Sequence, residues 1–162
     1  VLMEDEARLL SEETRKSPHI GFIGSDLWKT FGHVWVGTIN GTFVGVCVAF
    51  PLTHWVKLGP LIVSETFQGK GYGRCLLTHV VNQYQHTKLF IESSHPKVHT
   101  AVRSLGFKEV ASVFRVPFEV QWYLVRYILM RASYVYILDA FRKKLMFQRG
   151  KYRYFLKLDK YV

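Results

Sequence analysis

Three alternating glycines, Gly69, Gly71 and Gly73, stand in the stretch SETFQGKGYGRCLL (residues 64–77), where an apolar run gives way to a helical pattern. Glycine in a loop costs backbone entropy, so its repetition means that the main chain must approach something closely. An anion held by main-chain N–H groups at a helix N-terminus meets that need. Leu76, Leu77, Val80, Val81 and Tyr84 follow at the spacing of one helix face. The local order is therefore strand, loop, helix.

The elements on either side narrow the fold further. Upstream, HVWVGTINGTFVGVCVAF holds two strand-like runs around Asn40-Gly41, a type I′ turn pair, and predicts a β-hairpin ended by Pro51. HWVKLGPLIVS predicts a third strand, interrupted by a bulge or bend at Gly59-Pro60. Residues 3–16 have helical character, ending at Ser17-Pro18, and a short helix is expected near residues 26–31. Downstream, KLFIESS reads as a short buried strand. HPKVHTAVRSLGF reads as a helix, with Pro96 in its first turn and Gly106 past its end. KEVASVFRVPF returns to strand character. Residues 119–148 read as one long or two shorter helices, apolar on more than one face. KYRYFLKLD closes as a strand. The order is hairpin, bent strand, glycine loop, helix, strand, helix, strand, which makes an α/β (α+β) chain.

The 162 residues fit one domain spanning 1–162, with 119–149 as a helical insert between the last two strands. Nearly half are apolar or aromatic, enough for a packed core. No uncharged stretch reaches the length of a membrane span. The first residues are acidic rather than basic-then-apolar, so no secretory leader is expected, and the opening Val1 leaves room for upstream residues. Two cysteines, Cys47 and Cys75, read as reduced core or near-core thiols, consistent with a cytoplasmic location. No zinc-ligand spacing exists among the cysteines and the seven histidines, so no metal is expected. The net charge of +10 is uneven: residues 1–60 carry five Lys/Arg against six Asp/Glu, and residues 101–162 carry thirteen against four. Such a basic C-terminal third suits nucleic acid, an anionic membrane surface or an anionic cofactor.

Three phosphate-loop patterns compete for QGKGYG. A P-loop needs Ser or Thr after a Gly-Lys that follows four intervening residues, and Gly69-Lys70-Gly71 lacks it. A dinucleotide fingerprint needs a third small residue where Arg74 stands. Glu92 imitates that motif's ribose-binding acid, but the hairpin and bent strand come where the fold should open strand–loop–helix. The third pattern fits best. Gln68–Gly73 resembles the Gln/Arg-x-x-Gly-x-Gly/Ala loop of the GNAT superfamily of N-acetyltransferases. The resemblance extends over roughly residues 33–118 and includes the hairpin, LIVSETF and the RSLGFKEV passage.

The resemblance implies a central mixed, mostly antiparallel sheet, splayed into a V between its two middle strands, with helices on both faces. It implies acetyl-CoA as cosubstrate. The main chain of Gln68, Gly69, Lys70, Gly71, Tyr72, Gly73 and Arg74 would grip the pyrophosphate, with Lys70 and Arg74 adding positive charge. The backbone of Leu61, Ile62 and Val63 would pair with pantetheine. The implied reaction is direct acyl transfer from a thioester to a primary amine, which requires a base and an oxyanion donor near Val63. Candidate bases are Glu92, His54 and Glu65, with Glu92 the best placed at a strand end. Its alternative is an ion pair with Lys88 or Lys97. Family members often carry a thiolate-protonating Tyr where this chain has Val102, so Ser94, His95 or Tyr72 would substitute, or the thiolate would leave unaided. His79, His86 and His99 read as helix-surface residues. The insert reads as a homodimer surface or a lid over the acceptor. FRKKLMFQRGKYR also suits tRNA, other nucleic acid or anionic lipid. A non-catalytic acyl-CoA-binding or nucleic-acid-binding module on the same fold is the contrasting reading.

Overall fold

A computed structural model describes residues 2–131, 134–146 and 151–158. Helices α1 (Glu4–Lys16) and α2 (Ser25–Lys29) precede three strands, β1 (His33–Ile39), β2 (Thr42–Pro51) and β3 (Trp55–Val63). The glycine loop leads to α3 (Tyr72–Gln83), β4 (Lys88–Ser93), α4 (Pro96–Ser104) and β5 (Lys108–Val110). The remaining elements are α5 (Phe118–Arg131), α6 (Tyr134–Met146) and β6 (Arg153–Lys157). Asn40 and Gly41 join β1 to β2 with φ of 50° and 77°, the positive pair that a type I′ turn requires.

The strands form one sheet in the order β1-β2-β3-β4-β6-β5. Among the described strands only β3 and β4 pair in parallel. β2 pairs with β3 with Cys47 opposite Leu61 and Ala49 opposite Leu58, so Gly59 and Pro60 together oppose the single residue Val48. This is the expected bulge, where Pro60 has no N–H for the ladder. β3 pairs with β4 only from Trp55–Lys88 to Leu58–Ile91. Past that point the two strands are unpaired, and the sheet opens into the V.

Alternation along the strands sorts the core onto two faces. On one face, Cys47, Ala49, Leu58, Leu89, Ile91 and Phe155 pack under Leu77, Val80 and Val81 of α3 and Val102 of α4. On the other, Val46, Val48 and Ile62 pack against Ala7 and Leu10 of α1 and Trp28 of α2. Further along that second face, Trp55 and Phe90 receive Val120 and Leu124 of α5. Each fully buried side chain of this size contributes about 1.5–3 kcal/mol.

Three expectations need correction. KEVASVFRVPF is a strand only over β5. Ser112 then accepts the Phe114 N–H at 3.3 Å, a single 3-10 turn spans Val113–Arg115, and α5 starts straight after Pro117. His99 is buried, not on the surface: its Nε2 lies 2.8 Å from the Ser93 carbonyl and its ring lies against Phe155. Cys75 is exposed, because Leu77, Val80 and Val81 occupy the buried face of α3 and Cys75 points away from it. Cys47 is the core thiol, and burial pushes its pKa up to about 12.

Candidate active site

The cleft grows out of the V. Its walls are the end of β3, the glycine loop with the first turn of α3, the end of β4 with the start of α4, and the α1–α2 loop. Tyr127 of α5 and Tyr152 before β6 complete it, and the volume of this open cleft is about 810 Å³. Leu61, Ile62, Val63, Gln68, Gly69, Gly71, Tyr72, Gly73, Arg74 and Glu92 all line this one space.

Each glycine of the loop has a distinct reason. Gly69 and Gly71 have φ of 79° and 86°, left-handed values that a side chain resists. Gly71 is also the residue preceding α3, so the N–H groups of the first turn point along the helix axis into the cleft. Gly73 has an ordinary backbone, but a Cβ there would sit 3.1 Å from a Val63 methyl, so it lets α3 lie close on β3. Gln68 ties the loop to the strand end by donating from Nε2 to the Val63 carbonyl at 2.9 Å.

Other expected residues are placed elsewhere. Lys70 is exposed and folds back on its own loop, donating to the Thr66 carbonyl at 3.1 Å. His54 lies in the bend before β3, at the far end from the V, with its N–H held by the Glu119 carboxylate at 3.0 Å. The four paired residues Trp55–Leu58 separate it from the opening. Ser94 is buried beneath the cleft rather than lining it, and its hydroxyl is 3.1 Å from Nδ1 of His19. Val102 is fully buried in the core, while its neighbours Val98 and Ala101 line the cleft.

Glu92 meets neither Lys88 nor Lys97. Its Oε1 lies 3.7 Å from Nζ of Lys57. Lys57 is almost wholly buried, and its ammonium lies within 5.3–6.0 Å of the rings of Phe50, Tyr123 and Tyr127. It donates to the Gly59 carbonyl at 3.5 Å, next to the bulge. Sequence reasoning missed Lys57, although a lysine inside the apolar run HWVKLGPLIV was its visible signal. It also missed His19, which no local pattern marks. His19 and His95 both line the cleft, with ring centroids 4.5 Å apart. Burial lowers the His95 pKa, and the charges of Lys97 and His99 lower it further. Burial raises the Tyr154 pKa, and the Glu92 charge adds to it.

The geometry is a glycine-rich, helix-capped loop beside an unpaired strand edge, with a carboxylate across the V. Residues 3–107 match the Acetyltransferase (GNAT) family, and the chain belongs to that family. Solved structures agree on the fold. A ribosomal-protein-alanine N-acetyltransferase from Brucella melitensis superposes with a TM-score of 0.64 at 14% identity, covering 97% of this chain and 96% of that one. The ribosomal-protein-S18-alanine N-acetyltransferase of Escherichia coli gives 0.62 at 14%, covering 99% and 95%. An N-acetylglutamate synthase from Neisseria gonorrhoeae, solved with coenzyme A and N-acetyl-glutamate, gives 0.62 at 14%, covering 94% of this chain but only 32% of its own length. No curated protein matches the chain.

Proposed function

We propose that this chain is an acetyl-CoA-dependent N-acetyltransferase that moves the acetyl group directly onto a primary amine. One observation carries the reading: the unpaired edge of β3 runs straight into a loop whose amides head α3, and both open on one cleft. The α3 N-terminus suits the pyrophosphate, with Arg74 beside it, and the β3 edge suits the amide-bearing pantetheine arm. CoA-bound relatives such as the N. gonorrhoeae enzyme support the same cosubstrate.

In the proposed reaction the amine nitrogen attacks the thioester carbonyl carbon. A main-chain amide near Val63 stabilises the oxyanion. The C–S bond then breaks and the thiolate departs. Glu92 takes the proton from the amine, directly or through one water. Among the expected donors to the thiolate, Tyr72 and His95 line the cleft and Ser94 does not. A thiol with a pKa near about 8.5 also leaves without help. The likeness to ribosomal-protein-alanine N-acetyltransferases makes a protein N-terminus the first acceptor to test, ahead of small amines and aminoacyl-tRNA.

The core position of Val102 favours a second reading, an acyl-CoA-binding module without catalysis. Calorimetry with coenzyme A tests the shared part. The wild-type chain should bind, and Gly71→Glu should abolish binding, since the change strains a left-handed site and puts negative charge at the helix head. Unchanged affinity in the folded variant removes the cofactor assignment. Thiol release from acetyl-CoA with a panel of amines then separates enzyme from module.

A further inference from the structure

The helix α6 is amphipathic in the wrong sense. Its inward side carries Asp139 and Lys143, both buried. Lys143 donates to the Ile20 carbonyl at 2.9 Å and to the Thr14 carbonyl, and it pairs with Asp139 at 2.9 Å. Asp139 also accepts the Phe22 N–H at 3.2 Å. The apolar side chains point out instead: Leu138, Phe141 and Leu145, at i, i+3 and i+7, with Phe141 63% and Leu145 72% exposed. Helix α5 adds a second outward stripe. Val120 and Leu124 are buried, while Phe118, Trp122, Val125 and Leu129, at i, i+4, i+7 and i+11, are exposed.

Charge decides what covers these stripes. Arg126 lies four residues after Trp122 and three before Leu129, and Lys144 lies three after Phe141, so each borders its stripe. Both are exposed. Within α5 and α6 the described carboxylates are turned away: Glu119 holds the His54 N–H and Asp139 is buried. The outward faces thus combine aromatic and aliphatic side chains with positive charge alone. A second copy of this chain placed face to face would bring arginine and lysine against arginine and lysine. An anionic bilayer surface supplies both missing complements, acyl chains for the stripes and headgroup phosphates for the bases. Among the described residues no helix is long and apolar enough to cross a membrane, so the contact would lie at the surface.

We propose that the outward faces of α5 and α6 dock this protein on an anionic lipid surface. Tyr127, on the inward side of the same α5, lines the cleft, so docking sets that wall of the cleft about one helix diameter, roughly 10 Å, from the headgroups. The test is flotation with vesicles of phosphatidylcholine alone and of phosphatidylcholine mixed with phosphatidylglycerol, alongside light scattering. The protein should float with the mixed vesicles and not with the neutral ones. Each basic side chain is worth about five-fold in affinity, so Arg126→Ala with Lys144→Ala should weaken binding roughly 25-fold. Leu129→Glu with Phe141→Glu should abolish it, with an unchanged circular dichroism spectrum. Absence of wild-type binding at low salt overturns the proposal, as does binding that neither double variant reduces. A two-chain mass that the Leu129→Glu/Phe141→Glu variant splits, without vesicle binding, assigns the faces to a homodimer instead.

Discussion

At the scale of single residues, Glu92 and Lys57 meet in the cleft, and Glu92 is the base of the proposed reaction. Both side chains leave the sheet on the face that carries α1 and α5, Lys57 from the paired stretch of β3 and Glu92 just past it on β4. Glu92→Gln keeps the shape and removes the proton acceptor, so turnover should fall about 10²-fold with little change in coenzyme A affinity. Steady-state kinetics beside calorimetry reads both quantities, and a fully active variant takes Glu92 out of the mechanism. The glycines of the loop were legible in the sequence because positive φ at Gly69 and Gly71 and close approach at Gly73 are demands on residue type. The partner of Glu92 was not, because Lys57 comes from another strand and pairing across β3 and β4 leaves no trace in local spacing.

At the scale of elements, the hairpin and the bent strand were readable from Asn40-Gly41 and Gly59-Pro60, residues whose geometry is intrinsic. The brevity of β5 was not, since Val113 and Phe114 have strand propensity and only the Ser112 turn and Pro117 redirect them. β2 and β3 also touch more closely than their pattern suggests. A Cβ on Gly45 would meet the Ile62 carbonyl oxygen at 2.4 Å and Val63 Cα at 3.0 Å. Both are backbone atoms and cannot swing aside. Gly45→Ala should therefore push β3 out of register at the mouth of the V and cost about 1–3 kcal/mol. Thermal unfolding measures it; an unchanged midpoint would mean that β3 yields freely there.

At the scale of the whole molecule, α6 is fastened to the N-terminal part by polar contacts. Lys143 reaches the Thr14 and Ile20 carbonyls, and Arg142 donates to the Arg15 carbonyl at 2.8 Å. Lys143→Met removes from buried Asp139 its 2.9 Å ammonium partner and leaves the Arg142 contact at 3.2 Å. The loss should be about 3 kcal/mol, the low end for breaking a buried pair. For a chain of this size that lowers the melting temperature by roughly 6–12 °C, read by calorimetry; no shift would show that the α6 contact does not hold the fold together. This long-range anchoring was invisible in the sequence, because Asp139 and Lys143 meet Phe22, Thr14 and Ile20 more than a hundred residues away.

The place of β6 between β4 and β5 has a temporal meaning. Synthesis runs from the N-terminus, so β4, one wall of the cleft, emerges about sixty residues before the strand that will flank it on its far side. Until residues 153–157 leave the ribosome, β4 has β3 on one edge and nothing on the other, and β5 has no sheet to join. The nascent chain therefore carries its loop and first helices early but closes its sheet last, with the most distant strand pairing among the described residues as the final step.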